Sequence, residues 1–110
     1  MTDPVSGNRI SPELQATYRN EFARGIKLFE ESLTAYENTP PDEVIKKAKF
    51  KDVMDKALKI MNESARGFLS ESGKSEESKL EKDYQAFLAN DNKDSYNKLN
   101  KDIRHLKEYT

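Results

Sequence analysis

The chain has 110 residues, and 35% of them are charged, yet its formal net charge is only -1. A chain of this length forms one domain with a modest core, which argues against a catalytic cleft between two domains. The balanced charge favours neither nucleic acid nor a membrane surface as partner, and no apolar run is long enough to cross a bilayer. Cysteine is absent, which excludes disulfides and thiolate metal sites and makes a cytoplasmic location the expectation.

Residues 1–10 are mostly small and polar and show no periodicity. This pattern predicts a flexible N-terminal tail, and it lacks the basic and apolar regions of a secretory signal. A helix is predicted to follow at once, because Ser11 can cap it and Pro12 suits its first position. Residues 11–110 are therefore predicted to form a single domain. The apolar residues of the first helix recur every three or four positions: Leu14, Tyr18, Phe22, Ile26, Phe29, Leu33 and Tyr36.

Three more helices are predicted after a pair of prolines ends the first one. The second runs from about Pro41 to Ser70, with Thr39 as its cap. A third, shorter helix is capped by Ser75, and a fourth covers about residues 93–108. No segment alternates as a half-buried strand does. The predicted fold is therefore an all-α antiparallel bundle, made of a long helix hairpin plus two shorter helices.

One segment of the first helix has an echo in the second. The segment "GIKLFEESLTAY", residues 25–36, matches "ALKIMNESARGF", residues 57–68, position by position in residue character. Both resemble the second helix of a tetratricopeptide repeat, a unit that would imply a known way of holding partners. However, Pro40 stands three places later than the proline of that repeat, and another helix would have to fit between Asp42 and Asp52. We therefore interpret the echo as one packing pattern used by two helices, and assign no family.

The hairpin geometry predicts a close approach of the two long helices. If the turn lies at residues 39–41, Gly25 falls beside Ala57 or Met54, and two small residues would let the helices come close together. Residues 13–43 hold seven acidic and three basic residues, whereas residues 46–59 hold six basic and two acidic ones. The two limbs of the hairpin are therefore expected to meet through opposite charges.

The helix lengths predict an uncovered surface. The first two helices need about 40 to 45 Å each, whereas the third and fourth reach only about 21 to 24 Å. We expect the short pair to pack over the open end of the hairpin, where the second helix ends, and to leave the loop end bare. The alternative is that the short helices run in line along the long pair and cover it. An uncovered loop end would expose an apolar, aromatic patch that serves as the partner-binding site: Phe29, Leu33, Tyr36, Ile45 and Phe50.

The sequence offers few groups for catalysis or metal binding. The only histidine is His105, and one histidine cannot supply a carboxylate-bundle metal site together with Asp102. Residues 91–102 look faintly like a calcium loop, but lysine and tyrosine stand where a ligand and the turn glycine belong. No phosphate-binding glycine loop and no nucleophile elbow occurs. We therefore expect no enzyme activity, no catalytic or metal-binding residues, no cofactor and no small-molecule substrate.

These observations predict a protein that acts by protein contact. The expected role is a small adaptor, a chaperone-like protein or an assembly subunit, which binds a protein partner or a second copy of itself as a homodimer. The alternative is a weak nucleic-acid binder that uses the basic cluster at residues 46–51, in which the lysines are Lys46, Lys47, Lys49 and Lys51.

Overall fold

The computed structural model describes residues 11–110, and residues 1–10, predicted to be a tail, lie outside the described residues. The helices run in the order α1 (Pro12–Asn38), α2 (Val44–Ala65), α3 (Glu71–Ala89) and α4 (Lys93–Lys107). The described residues contain no strand. The prediction of an all-α bundle is therefore confirmed.

The caps set most of the helix boundaries. The Ser11 hydroxyl accepts a hydrogen bond from the backbone N–H of Leu14 at 3.1 Å, so α1 begins as predicted. Ser70, and not Ser75, caps α3, because its hydroxyl accepts from the N–H of Gly73 at 3.2 Å. This earlier start makes α3 longer than predicted, with 19 residues. Asn92 and Ser95 form a capping box at the start of α4.

The α1–α2 loop is longer than predicted. Thr39 does not cap α2, since its backbone N–H donates to the carbonyl of Tyr36 and closes α1 instead. Helix α2 then begins at Val44, after the two prolines, and ends at Ala65, well before the predicted Ser70. It is one continuous helix across residues 44–52. The extra helix that a second tetratricopeptide repeat would need is therefore not formed.

Small residues bring α1 and α2 into close contact, as predicted. A Cβ atom placed on Gly25 would lie 2.6 Å from the Cγ of Met61 and 3.1 Å from the carbonyl oxygen of Ala57. Ser32 and Ser64 are also buried, and each donates its hydroxyl at 2.6 Å to the carbonyl four residues earlier in its own helix. Of the echoed positions, Gly25 and Ala57 therefore meet at this close approach, and Ser32 and Ser64 are both buried.

The two hairpins close into a bundle around an aromatic core. Helix α1 packs on α2 and α4, and α3 packs on the same two helices. Between the hairpins, the rings of Phe29 and Tyr84 meet edge to face at 5.3 Å, and those of Tyr36 and Phe87 at 5.7 Å. The buried apolar residues form one cluster: Phe22, Ile26, Phe29, Leu33, Met54, Ala57, Leu58, Met61, Ala65, Leu69, Leu80, Tyr84, Phe87, Leu99, Ile103 and Leu106.

The prediction that the short pair leaves the loop end bare is wrong. Helices α3 and α4 pack side by side along the long pair, and the end of α3 reaches the α1–α2 loop. There Phe87 contacts Tyr36, and Asp91 lies 4.0 Å from the ammonium group of Lys47. The short helices therefore cover the long pair, as in the alternative arrangement, but they lie side by side and not in line.

We predict that Gly25→Leu destabilises the protein by about 1 to 3 kcal/mol, because a larger side chain overpacks the contact with Ala57 and Met61. The control is Asn20→Leu, at an exposed position of the same helix, which should change the free energy of unfolding by no more than about 0.5 kcal/mol. Urea unfolding measures both. Equal stability of the Gly25→Leu variant and the wild type would contradict the close approach.

Candidate functional site

Two of the five predicted partner-binding residues belong to the core. Phe29 and Leu33 each expose 0% of their surface, and both belong to the buried apolar cluster. Phe29 packs against Tyr84. The expectation that these two side chains lie on the surface is therefore wrong, and neither is available to a partner in the folded chain.

The remaining three residues differ in their exposure. Tyr36 and Phe50 are half-buried, whereas Ile45 is 76% exposed. The neighbouring Val44, which was not among the predicted site residues, is 68% exposed. Helical spacing could have indicated this, since Ile45 precedes the buried Met54 by about two and a half turns and lies on the opposite side of α2. Val44 and Ile45 are the large apolar side chains that the loop end leaves in solvent.

A groove runs beside Val44 where α3 ends. We call it the loop-end groove, and its volume is about 430 Å³. Apolar atoms of Val44 and Ala48 lie next to two ammonium groups and one carboxylate. Its lining residues are Tyr36, Pro41, Val44, Lys47, Ala48, Lys51 and Asp91. A second concave surface, of about 500 Å³, adjoins it around Ile45 and the first turn of α2.

Lys47 fixes the shape of the groove. Its Nζ lies 4.1 Å from the centre of the Tyr36 ring, donates to the carbonyl oxygen of Thr39 at 3.4 Å and lies 4.0 Å from Asp91. Burial and a hydrogen bond with Asp91 raise the pKa of the neighbouring Glu37. Lys47 therefore connects α1, the loop and the α3–α4 turn at one point.

The other lysines of the basic cluster differ in their surroundings. Lys51 donates to Asp55 at 2.9 Å, and this hydrogen bond raises the pKa of Lys51. Lys46 lies 3.7 Å from Glu43. Lys49 forms no ion pair with any residue in the range 11–110. Most of the positive charge predicted for this cluster is thus opposed by a nearby carboxylate.

Polar side chains also line the contact between α3 and α4. Asp83 and Asp102 are buried there, and Lys79 donates to Asp102 at 3.1 Å. His105 is partly exposed, with its Nδ1 3.5 Å from Glu76. Sequence reasoning considered Asp102 only as a metal ligand and missed the burial of both aspartates, although both occupy the same place in an apolar stripe of their helix. The stripes are Leu80, Asp83, Tyr84 and Phe87 in α3, and Leu99, Asp102, Ile103 and Leu106 in α4.

The described residues contain neither a metal site nor a membrane-spanning helix. Across residues 11–110, no group of three or more histidine, aspartate or glutamate side chains is arranged to hold a metal ion. The calcium-like segment forms the turn and the beginning of α4. None of the four helices combines the length and the apolar character needed to span a bilayer, as far as the described residues go.

Comparisons with known proteins give no further indication. No family model, no curated protein and no solved structure matches the chain. The function must therefore be inferred from the surface of the chain itself.

We predict opposite outcomes for truncating Phe29 and Ile45. Phe29→Ala should lower the free energy of unfolding by about 3 to 5 kcal/mol, because it leaves a cavity in the core. Ile45→Ala should change it by no more than about 0.5 kcal/mol. Chemical unfolding followed by circular dichroism measures both values, and a similar loss in the two variants would contradict this division between core and surface.

Proposed function

We propose that the protein is a non-enzymatic protein-interaction module whose loop-end groove holds an amphipathic helix of another protein. The observation that carries this proposal is the exposure of Val44 and Ile45, 68% and 76%, beside a preformed groove. Two adjacent large apolar side chains in solvent, next to a concave surface with a few polar groups, are typical of interaction sites. The adaptor, chaperone-like and assembly roles all belong to this class.

The contacts at the end of α3 indicate the chemistry of the partner. Phe87 packs on the ring of Tyr36, and Asp91, four residues later, approaches Lys47. The end of α3 thus places an apolar side chain and then a carboxylate next to this groove. Val44, Ala48 and Lys51 of α2 also line this groove. We infer that the partner helix presents apolar and acidic side chains about one turn apart, as Phe87 and Asp91 do.

A second copy of the chain fits this surface less well. Dimers with twofold symmetry pair the same patch on both subunits. Such a pairing at the loop end would bring Lys46 and Lys49 of one copy towards the same lysines of the other, and like charges oppose association. We therefore favour a different protein over the homodimer expected from the sequence. The lack of cysteine remains the support for a cytoplasmic location.

The nucleic-acid alternative has weaker support. Three lysines of the basic cluster already lie within 4.0 Å of a carboxylate, namely Lys46, Lys47 and Lys51. A phosphate backbone would have to displace those carboxylates or be repelled by them.

A synthetic helical peptide provides the test. The probe carries leucine on one face and glutamate on the others, and its companion carries lysine in place of glutamate. We predict that the glutamate peptide binds saturably, and that Val44→Glu weakens it by about tenfold or more, which corresponds to about 1.4 kcal/mol. The lysine peptide should bind more weakly, because it faces Lys47 and Lys51. Fluorescence anisotropy measures the affinities.

The matched control is Leu14→Glu. It makes the same kind of change at a leucine that is 43% exposed at the opposite end of α1, so it should leave peptide affinity unchanged. Circular dichroism should show intact helicity in both variants. Equal affinity of the two peptides, equal weakening by the two variants, or no binding of either peptide would overturn the proposal. A dimer seen in sedimentation and abolished by Ile45→Glu would assign the surface to a second copy instead.

A further inference from the structure

Two buried carboxyl groups, one on α3 and one on α4, lie at the contact between these helices and act on each other. Asp83 of α3 is 9% exposed and Asp102 of α4 is 1% exposed. The Oδ2 atom of each is buried and accepts no hydrogen bond from any group in the described part of the chain. The Oδ1 of Asp102 accepts a hydrogen bond from Lys79 at 3.1 Å.

The two Oδ2 atoms lack hydrogen-bond partners, and one hydrogen atom would supply the missing bond. A carboxylate buried without partners on its oxygens is costly, and two of them side by side also repel each other. The ammonium group of Lys79 opposes only part of this charge, because its side chain is about half exposed to water. A single proton on one Oδ2 atom would make that atom a donor, and the other Oδ2 atom could accept its hydrogen bond.

We propose that Asp83 and Asp102 share a proton that holds α3 against α4. The α3–α4 hairpin is then most stable in acid and becomes less stable when the proton dissociates. This inference does not depend on the proposed protein-binding role. It concerns a response to pH that is built into the fold, at a contact separate from the loop-end groove.

The titration of Asp102 supports this arrangement. Burial, followed by the nearby carboxyl group of Asp83, raises the pKa of Asp102 from 3.8 to about 6, and Lys79 acts in the opposite direction. The folded protein therefore binds this proton more tightly than the unfolded chain does. The resulting stabilisation is fully present below pH 3.8 and is lost as the pH rises through about 6.

Three other ionisable groups must be separated from this effect. Glu76 of α3 and His105 of α4 lie against each other beside the pair. Elsewhere on α3, burial and a hydrogen bond with Glu81 raise the pKa of Glu77 to about 8. This second effect has the same sign, since the stabilisation falls as the pH rises from 4.5 to about 8. Glu81 also accepts a hydrogen bond from Asn62 of α2, at 3.2 Å.

The test uses a background that carries Glu76→Gln, Glu77→Gln and His105→Gln, which removes these three groups from the comparison. In this background we predict that the melting temperature falls as the pH is raised from about 4 to about 7. Carboxyl carbon NMR should place the midpoint of Asp102 well above 3.8, near the value of about 6 given above. Adding Asp83→Asn supplies a permanent donor to Asp102. The melting temperature should then fall less steeply with rising pH, and the titration midpoint of Asp102 should drop.

The control is Asp52→Asn, which changes an exposed aspartate of α2 and should leave both the slope and the midpoint unchanged. An Asp102 midpoint at or below 3.8 in the background protein would overturn the proposal without any further substitution. An unchanged midpoint after Asp83→Asn would also overturn it.

Discussion

The close approach of α1 and α2 determines how the rest of the chain packs. At Gly25 the two helices are so close that even a methyl group would collide with Met61. Large side chains therefore find no room between α1 and α2 at this level. Phe29 and Tyr36 instead meet rings of the second hairpin, Tyr84 and Phe87. The core consequently lies between the hairpins, and α3 must reach the loop end to complete it.

Local patterns predicted the parts of the fold that depend on neighbouring residues. Ser11 and Pro12 mark the start of α1, and the spacing around the turn placed Gly25 near Ala57. The position of the second hairpin was predicted wrongly, because helix lengths alone do not show which rings will pair across a bundle. Capping was ambiguous for a similar reason. Ser70 and Ser75 both offer a hydroxyl, and the start at Ser70 brings Gly73 against Leu69.

The candidate site was predictable only in part. Ile45 is as exposed as expected, whereas the burial of Phe29 and Leu33 depends on rings more than fifty residues away in the sequence. The groove itself depends on Lys47, whose three contacts lie on different parts of the chain. The carboxyl pair gave a weak local signal, since both aspartates occupy positions of apolar stripes. Only the packing of α3 on α4 shows that these positions meet.

The order in which the helices pack also bears on how the chain folds. Each helix contacts the next one along the sequence, and α1 with α4 is the contact that closes the ring. Each hairpin can thus form from segments joined by a short connection, before distant parts of the chain meet. Helical domains with such local contacts typically fold within microseconds to milliseconds. The aromatic core is the part of the fold in which residues far apart in the sequence must meet.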